Sequence, residues 1–461
     1  MTTFLYELST TGAVSFTDIL KDPNGSYTRR ISDATQARSR LRGILKENKR
    51  ADGEQDYLTI IKVIDGYLPQ LQGIIDCVAH GELQLKSEPV VFSWRTTLSA
   101  SLFNNSPRIS LPSLHAEYAC CLLNYAFAYS NLARTIVSSL GSYEHDRAIS
   151  EAERETKDTR LTHAVRHLGR ASEIFTYLSE TVLPELHQVA GSNKLPPDLS
   201  IEVNAALAKL SLADAQTVAI RKLLSKSFYD SNVTPGPPLP KSHPLPGVVA
   251  KLHLECASLY SSARTLAKTP SASKSSDDVP AELRHYLAAE ASLHAALAKK
   301  WLGIDAGEKG GEKRAGDAVA FLAWSKKEFQ ELRDGGKGPG LAKGEKEKRD
   351  RNLRKEKVAA ELGSVEVWLK HYKNVNDTVH FQAIPAQADL QSRIPSGMSA
   401  LATTVSIYIP YKPVFGPLSD ARITNGQPLH DANPASSPDD TSQSGASARE
   451  SSAYAGAGEY Y

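Results

Sequence analysis

His163 and His167 have a spacing that could do chemistry. Four positions apart in His163-Ala-Val-Arg-His167, they would share one face of a helix and could hold a divalent cation. A hydrolytic zinc site of this type needs a glutamate directly after the first histidine, and Ala164 stands there. Surface or interface histidines are therefore expected. Gly307-Glu-Lys-Gly-Gly-Glu-Lys-Arg314 has the composition of a phosphate loop without its Gly-x-x-x-x-Gly-Lys-Ser/Thr order, and it sits between helical patterns rather than after a strand. A solvated loop is expected there. No Gly-x-Ser-x-Gly elbow occurs. Glu117 lies beside an apolar helix face. An acid with a raised pKa would be its catalytic use, but a partner for an arginine or a backbone donor is expected, because unpaired charge is rarely buried. Cys77, Cys120, Cys121 and Cys256 contain no Cys-x-x-Cys pair and fit buried thiols of a reducing compartment. No catalytic, cofactor or metal residue is assigned, and no cofactor is expected.

The elements that would carry these residues are mostly helical. The chain has 461 residues, 41% hydrophobic and 23% charged, with a net charge of +2. That composition suits a globular protein with a large core and gives no overall pull toward nucleic acid or membranes. Lys343–Lys357 mixes acids with bases, so a solvated helix start is expected rather than a nucleic-acid surface. The start of the chain lacks a secretory pattern. The most apolar stretch, Tyr118–Ala133, contains Asn124, Ser130 and Asn131 and is too short and polar to span a bilayer. It reads as a buried helix.

Apolar residues at steps of three and four predict helices near 31–48, 54–80, 112–140, 150–190, 198–229, 247–268, 280–302, 314–333 and 344–374. Strands are predicted at Thr3–Leu8 and Ser87–Trp94. Breaks fall at Thr234–Pro240, where prolines forbid helix, at the serine-rich Thr269–Asp278, and at Gly335–Gly340. No fixed-period repeat is present, though antiparallel helix pairs could stack in series. One domain is expected over 1–415, followed by a disordered tail, 416–461, with little apolar surface to bury.

Several blocks in a fixed order carry a family resemblance. Phe92-x-Trp94 is followed by Glu117 and, six residues on, Leu123-Asn124-Tyr-Ala. Ala171–Glu180, Asp198-Leu-Ser, Leu212-Ala-Asp-Ala-Gln216 and Val375–Pro385 follow in turn. Together they resemble the Bro-domain family, the helical scaffolds of Alix-like proteins, over roughly residues 1–415. Asp214, Thr217 and His380 stand where the family more often has Gln, Glu and Tyr. The short tail and Tyr408-x-Pro-Tyr-Lys-Pro-Val-Phe-Gly416 resemble the stand-alone fungal members that serve ambient-pH signalling.

The resemblance implies a mainly α fold: a curved array of antiparallel helix pairs with a tetratricopeptide-like core and a small N-terminal β element. It implies a non-catalytic scaffold that binds the C-terminal amphipathic helix of the ESCRT-III core subunit. That scaffold would assemble an alkaline-pH signalling complex, in which another protein activates a transcription factor by proteolysis. A cytoplasmic location with recruitment by partners to plasma-membrane or endosomal ESCRT sites is implied as well, without nucleic-acid binding. The implied partner contact uses Val165 and Arg166 on one helix and Ala219, Lys222, Leu223 and Lys226 on the next, with Leu322 at its edge. The alternatives are a helical metal-dependent hydrolase using His163 and His167, or a general peptide-binding helical-repeat adaptor.

Overall fold

Sequence periodicity is realised as a serial helical array. The computed structural model describes residues 3–51, 55–86, 90–99, 107–190, 195–231, 236–268, 279–335, 345–401 and 407–418. A short α1 (Phe16–Ile19) precedes α2 (Thr28–Arg50), α3 (Tyr57–Ala79), α4 (Leu114–Ser139), α5 (Glu151–Tyr177) and α6 (Leu183–Ala190). Then come α7 (Ile201–Ser231), α8 (Pro246–Leu266), α9 (Ala281–Lys309), α10 (Ala315–Gly335), α11 (Glu345–Val375) and α12 (Gln387–Gln391). From α2 to α5 each helix packs on the next. α5 then packs on α7, and the series continues through α8, α9 and α10 to α11. Local chemistry starts several helices: Asp56, Ser113 and Ser150 each accept a backbone N–H from the first turn of α3, α4 and α5. Pro246 opens α8 at a position where a missing N–H has no cost. The Val375–Pro385 block caps α11: the Asn376 side chain bonds both N and O of Gln382, and Phe381 takes a left-handed φ of 52°.

The β element is small. β1 (Leu20–Lys21) pairs antiparallel with β2 (Gln84–Leu85), and β3 (Phe92–Arg95) with β4 (Arg108–Leu111). Phe92 and Trp94 are buried where β3 meets α4. The strand expected over Ser87–Trp94 is thus confined to its end, with 87–89 outside the described residues.

The strand expected at Thr3–Leu8 does not form. The segment is extended and buried in part, but its backbone partners are side chains, chiefly those of α4. Tyr6 N donates to Asn131 Oδ1 at 2.9 Å, and Asn131 Nδ2 returns a bond to Tyr6 O at 2.8 Å. Ser9 N donates to Asn124 Oδ1 at 2.9 Å. A carboxamide carries both donor and acceptor, so it can replace a neighbouring strand. Glu117, Asn124 and Asn131 stand seven residues apart, two helical turns, and form one polar row along an otherwise apolar helix.

A C-terminal strap crosses the array. Met398 N bonds Lys251 O, Tyr408 packs on Tyr177, and the Tyr411 hydroxyl lies 3.4 Å from that of Tyr125. Val414 N bonds Pro69 O, and Phe415 lies over Gly73, where a Cβ would come within 2.6 Å of Phe415 O. Leu418 N donates to Glu82 Oε2 at 2.9 Å. The docked chain therefore runs three residues past the expected boundary at 415. The remainder of the expected tail, 419–461, lies outside the described residues. No described helix is long and apolar enough to cross a membrane.

Candidate partner-binding face

The residues implicated by sequence lie mainly on adjacent helices. α5 and α7 pack against each other: Ser172 Oγ donates to Ala208 O near one end, and Arg154 Nη1 to Ser225 Oγ near the other. Beneath them Leu161, Ala164, Leu168, Ala215 and Val218 form a satellite core. On α7, positions 219, 222, 223 and 226 recur at helical spacing, one to three turns along the helix from Ala215 and Val218 of that core. Ala219 and Lys222 are half-buried, while Leu223 is 39% exposed beside the exposed Lys226. Leu224 supplies the buried leucine of this turn instead. On α5, Arg166 is exposed, and Val165 is half-buried against the satellite core, where Leu401 of the strap also packs.

Charge on this face is partly committed. Lys226 pairs with Glu151 at 3.2 Å, with both side chains more than half exposed, so the pair is weakly held. Beneath it a buried network fixes the helix ends. Arg154 pairs with Asp158 at 2.6 Å, Arg221 pairs with Glu144 at 2.8 Å, and the Tyr143 hydroxyl donates to Asp158. Burial, together with Asp158, pushes the Tyr143 hydroxyl well above its ordinary range. This leaves α5 and α7 a rigid platform.

Leu322 does not belong to this face. It is fully buried on α10 against α9, where Gly303 makes room for it. An apolar residue on a helix packed on both sides reads the same as a surface anchor, and the sequence does not separate the two. Of the histidines, His163 is exposed and His167 is stacked on Tyr129 at 5.7 Å. Burial, aided by His163 and Arg166, lowers the His167 pKa. Among the described residues no three His, Cys, Asp or Glu side chains gather as a metal site.

Glu117 has its arginine. Arg38 Nε donates to Oε1 at 2.9 Å and Trp94 Nε1 to Oε2 at 2.6 Å, with Tyr67 OH at 3.2 Å from Oε1. Arg38 also donates to Gly12 O and Thr11 Oγ1, tying the N-terminal segment to α2 and α4. Other block residues act as clamps. Asp198 accepts Thr97 N and Leu98 N. Gln216 accepts Ala400 N at 2.9 Å and holds the strap to α7.

Sequence reasoning missed a second buried cluster, between α7, α8 and α9. Tyr260 and Tyr286 donate to Asp214 Oδ1 at 2.6 and 2.7 Å. Burial is the main reason that the Asp214 pKa rises to about 7, and Glu290 adds to it. Beside it, His253 Nδ1 meets His294 Nδ1 at 2.9 Å, and His294 Nε2 lies 3.2 Å from Thr217 Oγ1. Thr217 donates its own proton to Ala213 O, so His294 donates from Nε2 and accepts at Nδ1 from His253. His253 Nε2 is left a buried acceptor without a donor among the described residues. The unusual residues at 214 and 217 were visible in the sequence, but Tyr260, Tyr286 and His294 lie 43 to 77 residues away.

The comparisons agree with this architecture. The pH-response regulator protein palC of Cryptococcus neoformans var. neoformans is 36% identical, with 90% of this chain and 91% of the relative covered. The palC protein of Emericella nidulans is 25% identical over 86% of this chain and 87% of its own. Among solved structures, an ALIX BRO1 CHMP4C complex matches 91% of this chain and 100% of the solved chain at TM-score 0.59 and 20% identity. A Bro1 domain solved as a basis for endosomal targeting matches 87% and 93% at TM-score 0.55 and 19% identity. Such identities establish the shared fold. A family model, the BRO1-like domain, matches residues 15–418, and the chain belongs to that family.

Proposed function

We propose that this protein is a non-catalytic adaptor of an ambient-pH response and that the α5/α7 face receives an amphipathic helix from the ESCRT-III core subunit. The observation that carries the reading is Leu223, an exposed leucine between Lys222 and Lys226 on a platform whose core is already filled. An amphipathic helix would set its apolar residues on Val165, Ala219 and Leu223. Acidic flanks would meet Arg166, Lys222 and Lys226, which orient it more than they tighten it. The names of the palC relatives and the ALIX BRO1 CHMP4C complex support this choice of partner and pathway. In this reading the adaptor is recruited to endosomal or plasma-membrane sites through its partners, and a protease elsewhere in the complex does the chemistry.

Leu223→Asp with Lys222→Glu tests it. The variant should keep its circular dichroism and melting temperature. Binding to the C-terminal peptide of the ESCRT-III core subunit should fall at least about thirtyfold, since an unpaired charge in the groove costs about 2 kcal/mol or more. Undiminished binding by the folded variant would remove these residues from the contact. The same preparation separates the hydrolase alternative, which requires stoichiometric zinc dependent on His163 and His167.

A further inference from the structure

A cavity of about 410 Å³ opens between α2, α3 and the strap, far from the α5/α7 face. Its surroundings are unlike the near-neutral chain as a whole. Along α2, arginines and lysines recur from Arg29 to Arg50, while the carboxylates of that helix are Asp33 and Glu47 alone. Arg30 and Arg40 line the cavity from α2, and Lys62 lines it from α3. None of the three forms an ion pair among the described residues; Lys62 lies near enough to Asp56 to help hold its carboxyl low, behind the Thr59 hydrogen bonds. Three cations around one hollow repel one another, and a multivalent anion would relieve that.

Two acceptors in the same cavity narrow the ligand further. Gln70 donates Nε2 to Gly66 O at 3.1 Å, which leaves Oε1 as an acceptor, and that buried atom has no donor among the described residues. Asp33 lines the same wall. The Asp33 carboxylate repels a phosphate, whereas a neutral hydroxyl group can donate to it and to Gln70 Oε1. Val414 and Phe415 close one edge with apolar surface, held there by the Val414–Pro69 backbone bond. Gly66, exposed on the α3 wall, leaves room: a Cβ there would meet nothing within 4 Å.

We propose that this cavity binds a phosphorylated polyol, with phosphates on Arg30, Arg40 and Lys62 and hydroxyls on Asp33 and Gln70. Guanidinium groups suit the phosphates because their paired N–H donors match two oxygens at once. An inositol phosphate has this chemistry, either free or as the headgroup of a membrane lipid.

The test uses the full chain at physiological salt. Inositol 1,4,5-trisphosphate and inorganic phosphate are titrated calorimetrically. Co-sedimentation follows, with phosphatidylcholine vesicles with or without phosphatidylinositol bisphosphate. Three variants are compared: Arg30→Gln with Arg40→Gln; Gly66→Leu, which adds bulk to the α3 wall without changing charge; and Lys46→Gln with Arg50→Gln, which removes equal charge from α2 outside the cavity. Trisphosphate binding should weaken at least about tenfold in the first two, or about 1.4 kcal/mol, and less than about twofold in the third. Vesicle binding that tracks trisphosphate binding across the variants supports a lipid source; trisphosphate binding without vesicle binding supports a free one. The proposal is overturned by absent trisphosphate binding, by equal weakening in the third variant, by unchanged binding in Gly66→Leu, or by inorganic phosphate binding as tightly as the trisphosphate.

Discussion

Glu117 and Asp214 are both buried carboxyl groups that collect donors from several elements, yet their charge is handled in opposite ways. Glu117 faces a guanidinium: burial opposes charge on Arg38, but Glu117 and its neighbours more than offset it, and the Arg38 pKa rises. Asp214 has two phenols and a backbone N–H, and among the described residues it forms no ion pair. The nearby Arg354 is committed to Glu290 at 3.3 Å and to the face of Tyr286. Two buried carboxyls in one fold thus differ in their partners: the first is paired with a guanidinium, and the second, held by phenols, titrates near neutral pH.

The largest effect should come from removing the guanidinium partner. Arg38→Met leaves Glu117 buried without its cation and should cost about 3–5 kcal/mol in denaturant unfolding. Trp94→Ala should cost a similar amount, about 3–5 kcal/mol, because it removes a large aromatic and a Glu117 donor together. Asp214→Asn should behave quite differently if the contrast is real. The Asp214 pKa is raised from 3.8 to about 7, so the folded state holds a proton that the unfolded chain releases. Its contribution is therefore full below about pH 4 and is lost as pH rises to about 7, by about 1.4 kcal/mol per unit at most. Asp214→Asn should abolish that slope.

The neighbouring histidines tilt the other way. Burial lowers the His253 pKa to about 3, so its contribution is present above the ordinary histidine value near 6.5 and is lost as pH falls toward 3. Between about pH 4 and 6.5 the two slopes oppose each other. Burial lowers the His294 pKa as well, so His253→Gln together with His294→Gln should expose the Asp214 slope across that window in stability measured against pH; a profile unchanged by this pair or by Asp214→Asn would break the contrast. Smaller again, Asn131→Leu should cost about 1–3 kcal/mol, leaving the Tyr6 backbone unpaired. Leu223→Asp, at an exposed position, should shift stability by no more than about 0.5 kcal/mol.

Much of the array was legible because an apolar period reports burial wherever a helix has one dry side. The expected helix at 112–140 is observed at Leu114–Ser139, and that at 344–374 at Glu345–Val375. The arginine partner of Glu117 was legible in kind from the cost of burying bare charge, though not as Arg38. The seven-residue row of Glu117, Asn124 and Asn131 was available as a signal: polar residues that recur on the dry face of a helix must have a backbone to satisfy. Thr3–Leu8 has the extended backbone expected of a strand, but it is held by side chains instead of a neighbouring strand. Leu322 failed for the converse reason, since in a layered array both sides of α10 are dry. The cavity beside α2 was not legible, because it depends on Phe415 lying over Gly73 across more than 300 residues of chain.

The strap also has a consequence for the order of assembly. A stack in which each helix touches only its neighbours can form from one end as it is synthesised, and each stage is nearly complete in itself. Here Tyr27 is bonded to Leu418, 391 positions later. The first helices therefore leave the ribosome with part of their covering unmade, and α3 waits with a bare patch at Gly73 until the far end of the domain emerges. Closing so long a loop is slow. It also converts a chain of local contacts into a circuit, so that fraying at one end is felt at the other.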